Sequence, residues 1–139
     1  MDSLNRFIDA QDDYGFSSIL EEIRCGLKVG HWMWFVFPQL RGLGKSHHSQ
    51  FYGVTSLVEA HDYWEHPVLG LRLRECLKSI LNSERSVLVI FGVIDSLKLH
   101  SCLTLFIELA EDEPILYNLL DKFYNGQLDD KTIELIDQM

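Results

Sequence analysis

The sequence predicts an all-α fold, with one compact domain over residues 1–139 built as a bundle of about seven mostly short helices. Apolar residues recur at intervals of three and four along most of the chain, which is the spacing of a helix face packed on a core. Capping side chains precede many of these stretches, and glycine or proline follows several of them. No hairpin pattern interrupts the series. A length of 139 residues suits a single domain.

The predicted helices are separated by recognisable breaks. Gly15 interrupts the first stretch, and Ser17 or Ser18 is expected to cap the next. Pro67 ends a later helix, because the residue before a proline is disfavoured in the helical region. The helical stretches cover residues 5–11, 18–27, 57–64, 69–80, 87–91, 96–110, 114–123 and 130–136, with further caps expected from Thr55 or Ser56, Ser86, Asp95 and Asp129.

The aromatic segment over residues 31–37 has no clear period. It reads His-Trp-Met-Trp-Phe-Val-Phe, and a buried strand and a buried helix both fit such a uniformly apolar run. Its bulk predicts a central core element. Trp32 and Trp34 are also candidates to stack on a ligand ring, since each indole N–H needs a partner and each ring offers a flat face. His31, just before them, is a candidate for acid–base work.

Composition and charge exclude several classes of protein. The chain is 47% hydrophobic and 12% aromatic, too apolar for a disordered protein, and no apolar run approaches a membrane span. The polar N-terminus does not resemble a signal peptide. The net charge is −9, of which residues 108–139 hold −7 with nine acids and two bases. We therefore expect no nucleic-acid partner and no membrane association. Three widely spaced cysteines favour a cytoplasmic location.

A glycine-containing loop follows the aromatic segment. It ends in Gly-Lys-Ser like a phosphate-binding P-loop, but Gln39 stands where the P-loop has its first glycine, and no parallel strand precedes it. A nucleotide triphosphatase is therefore not predicted. Two interpretations remain open: a solvated turn, or an anion site that uses backbone N–H groups and side-chain donors. The residues concerned are Arg41, Gly42, Gly44, Lys45 and Ser46.

Three polar residues, Lys98, His100 and Ser101, lie within an otherwise apolar helical stretch. Lys98 and Ser101 are three residues apart and share a helix face. Either they line a pocket, or Lys98 is exposed to solvent and Ser101 hydrogen-bonds to the helix backbone. The six histidines show no metal-ligand spacing, and we expect neither a metal nor a cofactor. Cys76 and Cys102 fall on apolar stripes and are expected to be inert core residues.

Motifs along nearly the whole chain resemble a known bacterial family. They are Arg6-Phe7, Ala10-Gln11, residues 31–39, Gly42-Leu43-Gly44 with Ser46, Tyr52, residues 66–70 with Arg72-Leu73, Phe91-Gly92 with Asp95 and Lys98-Leu99, and residues 101–106. The chain resembles the uncharacterised small proteins often mislabelled "calpastatin" in bacterial genomes. The resemblance implies the all-α single-domain fold of a mycobacterial conserved hypothetical protein, favours a helix over residues 31–37, and implies no catalytic residue.

These observations support two hypotheses of function. In the first, a glycine- and tryptophan-lined pocket binds, and in an extended version hydrolyses, a phosphorylated small molecule such as a nucleotide or an ADP-ribose-like compound. In the second, the chain is a non-catalytic interaction module that uses its acidic C-terminal helices. For the first, His31 and Lys98 are weak candidates for catalysis, and the ligand-binding candidates are Trp32, Trp34, Gln39, Arg41, Gly42, Gly44, Lys45, Ser46, Tyr52 and Ser101.

Overall fold

The computed structural model describes residues 3–139 and contains nine α-helices within them. These are α1 (Asn5–Tyr14), α2 (Phe16–Arg24), α3 (Met33–Val36), α4 (His47–Tyr52), α5 (Leu57–Glu65), α6 (Leu69–Leu81), α7 (Val87–Leu109), α8 (Pro114–Tyr124) and α9 (Asp130–Asp137). No strand occurs in that range, so the all-α prediction is confirmed. Met1 and Asp2, which begin the polar N-terminus, lie outside the described residues.

Some helix starts differ from the sequence prediction. Ser56, Ser86 and Asp129 cap helices as expected, each accepting a hydrogen bond from a backbone N–H three residues on. The predicted serine cap of α2 is wrong, because Gly15, at φ +98°, takes that position. Asp95 is not a cap either, because it lies inside α7. The helices number nine rather than about seven, since α3 and α4 are too short to produce a periodic pattern.

Helix α7 is the central element of the bundle, and it is bent at one residue. Gly92 has φ +82° and ψ 173°, a conformation essentially confined to glycine, so the predicted break is confirmed there. By length and composition alone α7 is long and apolar enough to cross a membrane, but half of its most apolar window is buried inside the protein. Core helices of soluble proteins pass the same test, and α7 packs against α5, α8 and α9 in this way.

The hydrophobic core surrounds the second half of α7. Leu99, Leu103 and Phe106 are fully buried there. The aromatic segment contributes to the same core, with Trp32 and Phe37 completely buried. The prediction of a central core element is therefore confirmed for most of residues 31–37, and α3 resolves its secondary structure as helical.

The glycine-containing loop is anchored at both ends. Leu40 and Val54 form an isolated parallel bridge, in which Arg41 N donates to Val54 O at 2.9 Å. Beside it, the Arg6 guanidinium donates to Phe51 O at 2.9 Å and pairs with Glu59 at 3.0 Å. These contacts join α1, α4 and α5, and they hold the loop at the surface next to α7.

Candidate functional site

A cavity of about 690 Å³ lies where the glycine-containing loop meets α7 and the segment before α9. Three stretches of chain far apart in sequence form its walls. The lining residues are Trp34, Gln39, Leu43, Gly44, Lys45, Ser46, Ser49, Ile94, Leu97, Lys98, His100, Ser101, Gln127, Leu128, Asp129, Asp130 and Lys131. The cavity thus combines an apolar wall from α7 with lysines, hydroxyls and carboxylates, which is the usual make-up of a small-molecule site.

Seven of the residues singled out from sequence converge on this cavity. They are Trp34, Gln39, Gly44, Lys45, Ser46, Lys98 and Ser101. Gly44 lies close to α4, since a Cβ there would be 3.0 Å from Ser49 Oγ, a tight contact that only a shift of the Ser49 side chain would relieve. Ser46 caps α4 by accepting from Ser49 N at 3.1 Å. The loop is therefore both a structural turn and a cavity wall.

Trp32 does not belong to this cavity. Its side chain is completely buried, and its indole N–H donates to Glu22 Oε1 at 2.9 Å. The same oxygen accepts from the backbone N–H groups of Val29 and Gly30. A sealed ring with a satisfied N–H has no face to offer a ligand, so the structure assigns Trp32 to the core rather than to a stacking role.

Four other candidates lie elsewhere. His31 is exposed and lines a smaller cavity of about 410 Å³ that shares Trp34 and Lys98 with the first. Arg41 is exposed outside the cavity, while Gly42, at φ +109°, uses glycine's freedom for the turn. Tyr52 lines a separate cavity of about 590 Å³ near α1. Proximity in sequence to Trp34 and Lys45 thus did not bring these residues into the main cavity.

Trp34 contributes an indole ring to the lining and contacts two neighbouring side chains. The His48 ring stacks against it at 5.1 Å between centroids, and Lys98 Nζ lies 3.9 Å from its ring centroid. Among the described side chains, the Trp34 indole N–H is the buried polar group that has no hydrogen-bond partner. A buried donor without an acceptor is costly, so the fold leaves Trp34 with one unsatisfied hydrogen-bond donor next to the cavity that its side chain lines.

Lys98 is held at the boundary between the two cavities by a carboxylate. Asp95 pairs with Lys98 at 3.1 Å and with Lys28 at 2.8 Å. Burial alone would raise the pKa of Asp95, but the hydrogen bonds and charges of the two lysines hold that pKa below its ordinary value. Lys98 therefore faces the cavity as a positioned and partly neutralised cation.

A hydrogen-bonded network fixes the opposite wall. Asp129 Oδ2 accepts from Ser101 Oγ at 3.1 Å and from Thr132 N at 3.1 Å, and it also accepts from Thr132 Oγ1 at 2.5 Å. Thr104 Oγ1 in turn accepts from Asp129 N at 2.9 Å. One carboxylate oxygen is thus fully used to join α9 to α7. The other, Oδ1, accepts no hydrogen bond within residues 3–139.

His100 completes this wall. Its ring stacks on Tyr124 at 4.2 Å with an interplanar angle of 4°, and its Nε2 lies 2.6 Å from Gln127 O. The Tyr124 hydroxyl donates to Ser96 O at 2.6 Å, and burial raises the pKa of that hydroxyl above its ordinary value. These contacts position the imidazole and hold the chain before α9 against α7.

Comparison with known proteins places the chain in a family. The model of a family described as a protein of unknown function, DUF1810, matches residues 1–136. The chain belongs to the DUF1810 family. The crystal structure of the conserved hypothetical protein Rv1873 from Mycobacterium tuberculosis is similar to it, with 46% sequence identity, 96% of each chain covered and a TM-score of 0.93. No curated protein matches the chain.

Family membership confirms part of the resemblance found in the sequence. The DUF1810 chain shares its all-α architecture with the mycobacterial structure, as the motifs implied. Neither comparison shows the calpastatin label. The family is described as one of unknown function, so roles for the cavity residues must come from their own geometry.

Sequence reasoning missed the wall of this DUF1810 protein that comes from its C-terminal part. The sequence places His100 beside Lys98 and Ser101 but does not make it a site residue, and it predicts only a turn and a cap for residues 127–131. The available signal was Asp129, a predicted cap following Gly126, since capping residues lie at helix ends where pockets form. Within the described part of the chain, no group of three or more His, Cys, Asp or Glu residues is arranged to hold a metal ion.

Proposed function

We propose that the cavity binds a small phosphorylated molecule, with nucleotide-like and ADP-ribose-like compounds as the specific candidates. The observation that carries the proposal is that the loop ending in Lys45 and Ser46 meets Lys98 and Lys131 around one cavity. Lysines are common phosphate ligands as point charges, and the apolar wall from α7 would support a ring or a sugar face.

The phosphate end would lie at the loop. Lys45 and Lys131 are exposed and form no ion pair in the described part of the chain, so both ammonium groups are available. The Ser46 hydroxyl accepts from Ser49 N but retains its own proton to donate. Lys98 contributes less charge, because Asp95 already neutralises part of it.

The other end of the ligand would carry hydroxyl groups. Asp129 Oδ1 is an unused acceptor held in place by the network on Oδ2, and the Trp34 indole N–H is an unused donor. A sugar hydroxyl can donate to Asp129 Oδ1, and a shift of the indole toward the cavity would let the buried Trp34 N–H donate to a second hydroxyl. A ligand made of phosphate alone would instead meet the negative charges of Asp129 and Asp130.

The geometry supports binding better than hydrolysis. His31, a weak candidate for catalysis, lies outside the main cavity, and the Lys98 ammonium is paired with Asp95. The Ser101 hydroxyl is engaged by Leu97 O and Asp129, and burial raises the pKa of the Cys102 thiol well above its ordinary value. We therefore propose a binding site and assign no reaction to it.

A thermal-shift series tests this proposal directly. Inorganic phosphate, ribose 5-phosphate, AMP, NAD and ADP-ribose are added to the wild-type chain and to a Lys45→Ala, Lys131→Ala double variant. A ligand at 100 times its dissociation constant stabilises the folded state by about 2.7 kcal/mol, so at least one organic phosphate should raise the melting temperature of the wild type. The double variant should lose that shift.

A second double variant serves as the matched control. Arg41→Ala with Lys78→Ala also removes two exposed positive charges, but neither residue lines the cavity. It should keep the full ligand-induced shift. A flat response of the wild type to every phosphate compound, or an equal loss of the shift in both double variants, would contradict the proposal.

We also propose that the protein is cytoplasmic. Cys25, Cys76 and Cys102 are all free thiols, which suits a reducing compartment. Together with the net charge of −9, this supports a cytoplasmic protein that acts without a nucleic-acid partner.

A further inference from the structure

Exposed apolar side chains on the first half of α7 and on the loop after α2 form a group that we call the α7 ridge. Its members are each 52–75% exposed, and they are Leu27, Val29, Leu88, Val89, Val93, Ile94 and Leu97. Leu27 and Val29 belong to the loop after α2. They lie beside α7 because Lys28 N, between them, donates to Ile90 O at 2.8 Å. Apolar side chains grouped on one surface are typical of an interaction site rather than of scattered surface residues.

The fold does not account for the ridge. The same part of α7 already buries Val87, Ile90 and Phe91 in the core. A helix that is apolar on its outer side as well needs a second partner for that side, either another protein surface or a membrane. Gly92 lies within the ridge with open space around it, since nothing lies within 4 Å of a Cβ built there. A partner can therefore approach the backbone closely at the bend.

We propose that a second copy of this chain covers the α7 ridge, in a dimer with two-fold symmetry. An aliphatic side chain offers roughly 60–120 Å² of apolar surface, so seven that are half to three-quarters exposed present roughly 250–500 Å². Homodimer interfaces are about 65% apolar, so this apolar centre implies about 400–800 Å² per partner. The total of about 800–1,500 Å² spans weak, reversible interfaces and the smaller stable ones.

Charge favours a second copy over a membrane. The chain carries −9 in total, which opposes approach to an anionic lipid surface. Residues 84–98, which contain most of the ridge, hold two acids and two bases and are locally neutral. In a two-fold interface the same patch faces itself, and an apolar, locally neutral patch brings no excess of like charge into contact. The net charges of the two copies repel each other only at longer range, where salt screens them.

The dimer would also affect the edge of the candidate cavity. Ile94 and Leu97 belong both to the ridge and to the cavity lining. A second copy seated on the ridge would therefore cover part of the cavity rim. The dimer itself depends only on the ridge, so a test of dimerisation does not depend on whether the cavity binds a ligand.

Sedimentation velocity over roughly 1–500 µM protein tests the proposal. For an interface of this size we expect reversible dimerisation with a dissociation constant of about 1–100 µM. Val93→Glu should weaken it at least about 100-fold, since the interface would bury a charge near its symmetry-related copy. Val58→Glu is the matched control, because Val58 is 70% exposed on α5 and Val93 is 67% exposed. It should dimerise like the wild type.

Three results would overturn the proposal. The first is a wild-type chain that remains monomeric over the whole concentration range. The second is a Val93→Glu variant that dimerises as strongly as the wild type. The third is a monomer that binds neutral phosphatidylcholine vesicles through the ridge and floats with them. Circular dichroism confirms that each variant is folded. Val93→Ser gives a milder second substitution, which should weaken the dimer by less than Val93→Glu and must not leave it unchanged.

Discussion

Trp32 and Trp34 lie two residues apart in one aromatic segment, and a lysine ammonium lies over each ring, yet their burial and hydrogen bonding differ. Trp32 is fully buried and its N–H is bound to Glu22. Trp34 is partly exposed, contacts His48 and Lys98, and has a buried N–H without an acceptor. The fold supplies a hydrogen-bond acceptor for the N–H of Trp32, but it supplies none for the N–H of Trp34.

The difference teaches how to separate a structural aromatic residue from a binding one. Each indole is an apolar ring with a single polar group, and the sequence gives both tryptophans the same two candidate roles, in the core or against a ligand. What distinguishes them is whether the fold supplies the acceptor. The Glu22 carboxylate beside Trp32 also accepts hydrogen bonds from Tyr14, Val29 and Gly30. The hydrogen bonding around Trp32 is therefore satisfied within the protein. Around Trp34 the side chain lines a cavity, while its N–H is buried without an acceptor.

The largest contrast is expected from truncation of each ring. Trp32→Ala should lower the free energy of unfolding by about 3–5 kcal/mol, because it leaves a large cavity in the core. Trp34→Ala should lower it by about 1–2 kcal/mol, since its ring is only partly buried. Urea denaturation of both variants measures the two values. Equal losses would contradict the assignment of Trp32 to the core and of Trp34 to a cavity wall.

A subtler contrast comes from removing only the indole N–H. Trp32→Phe should cost about 2–3 kcal/mol, because it removes a hydrogen bond to a charged acceptor and some core volume. Trp34→Phe should change stability by less than about 1 kcal/mol, since the group removed has no partner in the described chain. Ligand-induced thermal shifts of the second variant should nevertheless decrease. A large stability loss in Trp34→Phe would show that its N–H has an acceptor in solution.

The smallest expected effect is a pH dependence confined to the Trp32 side. Burial alone would raise the pKa of Glu22, but the hydrogen bonds from Tyr14 and from the surrounding amides and indole hold that pKa below 4.5. A carboxyl whose pKa is lower in the folded than in the unfolded state stabilises the fold above its unfolded pKa. That stabilisation is lost as the pH falls through the folded value.

Comparison of the wild type with Glu22→Gln measures this dependence. The stability difference between them should be largest near neutral pH and should shrink below about pH 4.5, as Glu22 becomes protonated in the wild type. Chemical denaturation at several pH values between neutral and acidic conditions provides the readout. A difference that is constant with pH would mean that Glu22 does not act through its charge.

Much of the helical architecture could be predicted from local patterns. The caps Ser56, Ser86 and Asp129 each precede a periodic apolar stretch, and the bend at Gly92 follows from glycine's access to positive φ. Helix α4 could not be predicted in this way. It spans six residues without a buried member, so it has no apolar face to generate a period, and its position depends on contacts such as those of Arg6.

The candidate site could be predicted only in part. Gly44, Lys45 and Ser46 were found because glycine beside donors is a local signal. The opposite wall, with His100 and Asp129, was missed because its residues are 50 to 90 positions away along the chain. They reach the loop only through tertiary packing, of α7 beside α3 for His100 and of α9 on α7 for Asp129. Arg41 carries the same local signal as Lys45, but its side chain lies outside the cavity.

The sequence by itself determined that this protein is helical, where most of its helices begin and end, and which residue types border the loop. These features depend on interactions between neighbours along the chain, such as caps, turns and apolar periods. Only the tertiary structure decided which indole is enclosed, which lysines share a cavity and which side of α7 stays exposed. Those outcomes depend on burial and on partners distant in sequence, and a donor such as the Trp34 N–H is unpaired only when the whole fold fails to bring an acceptor to it.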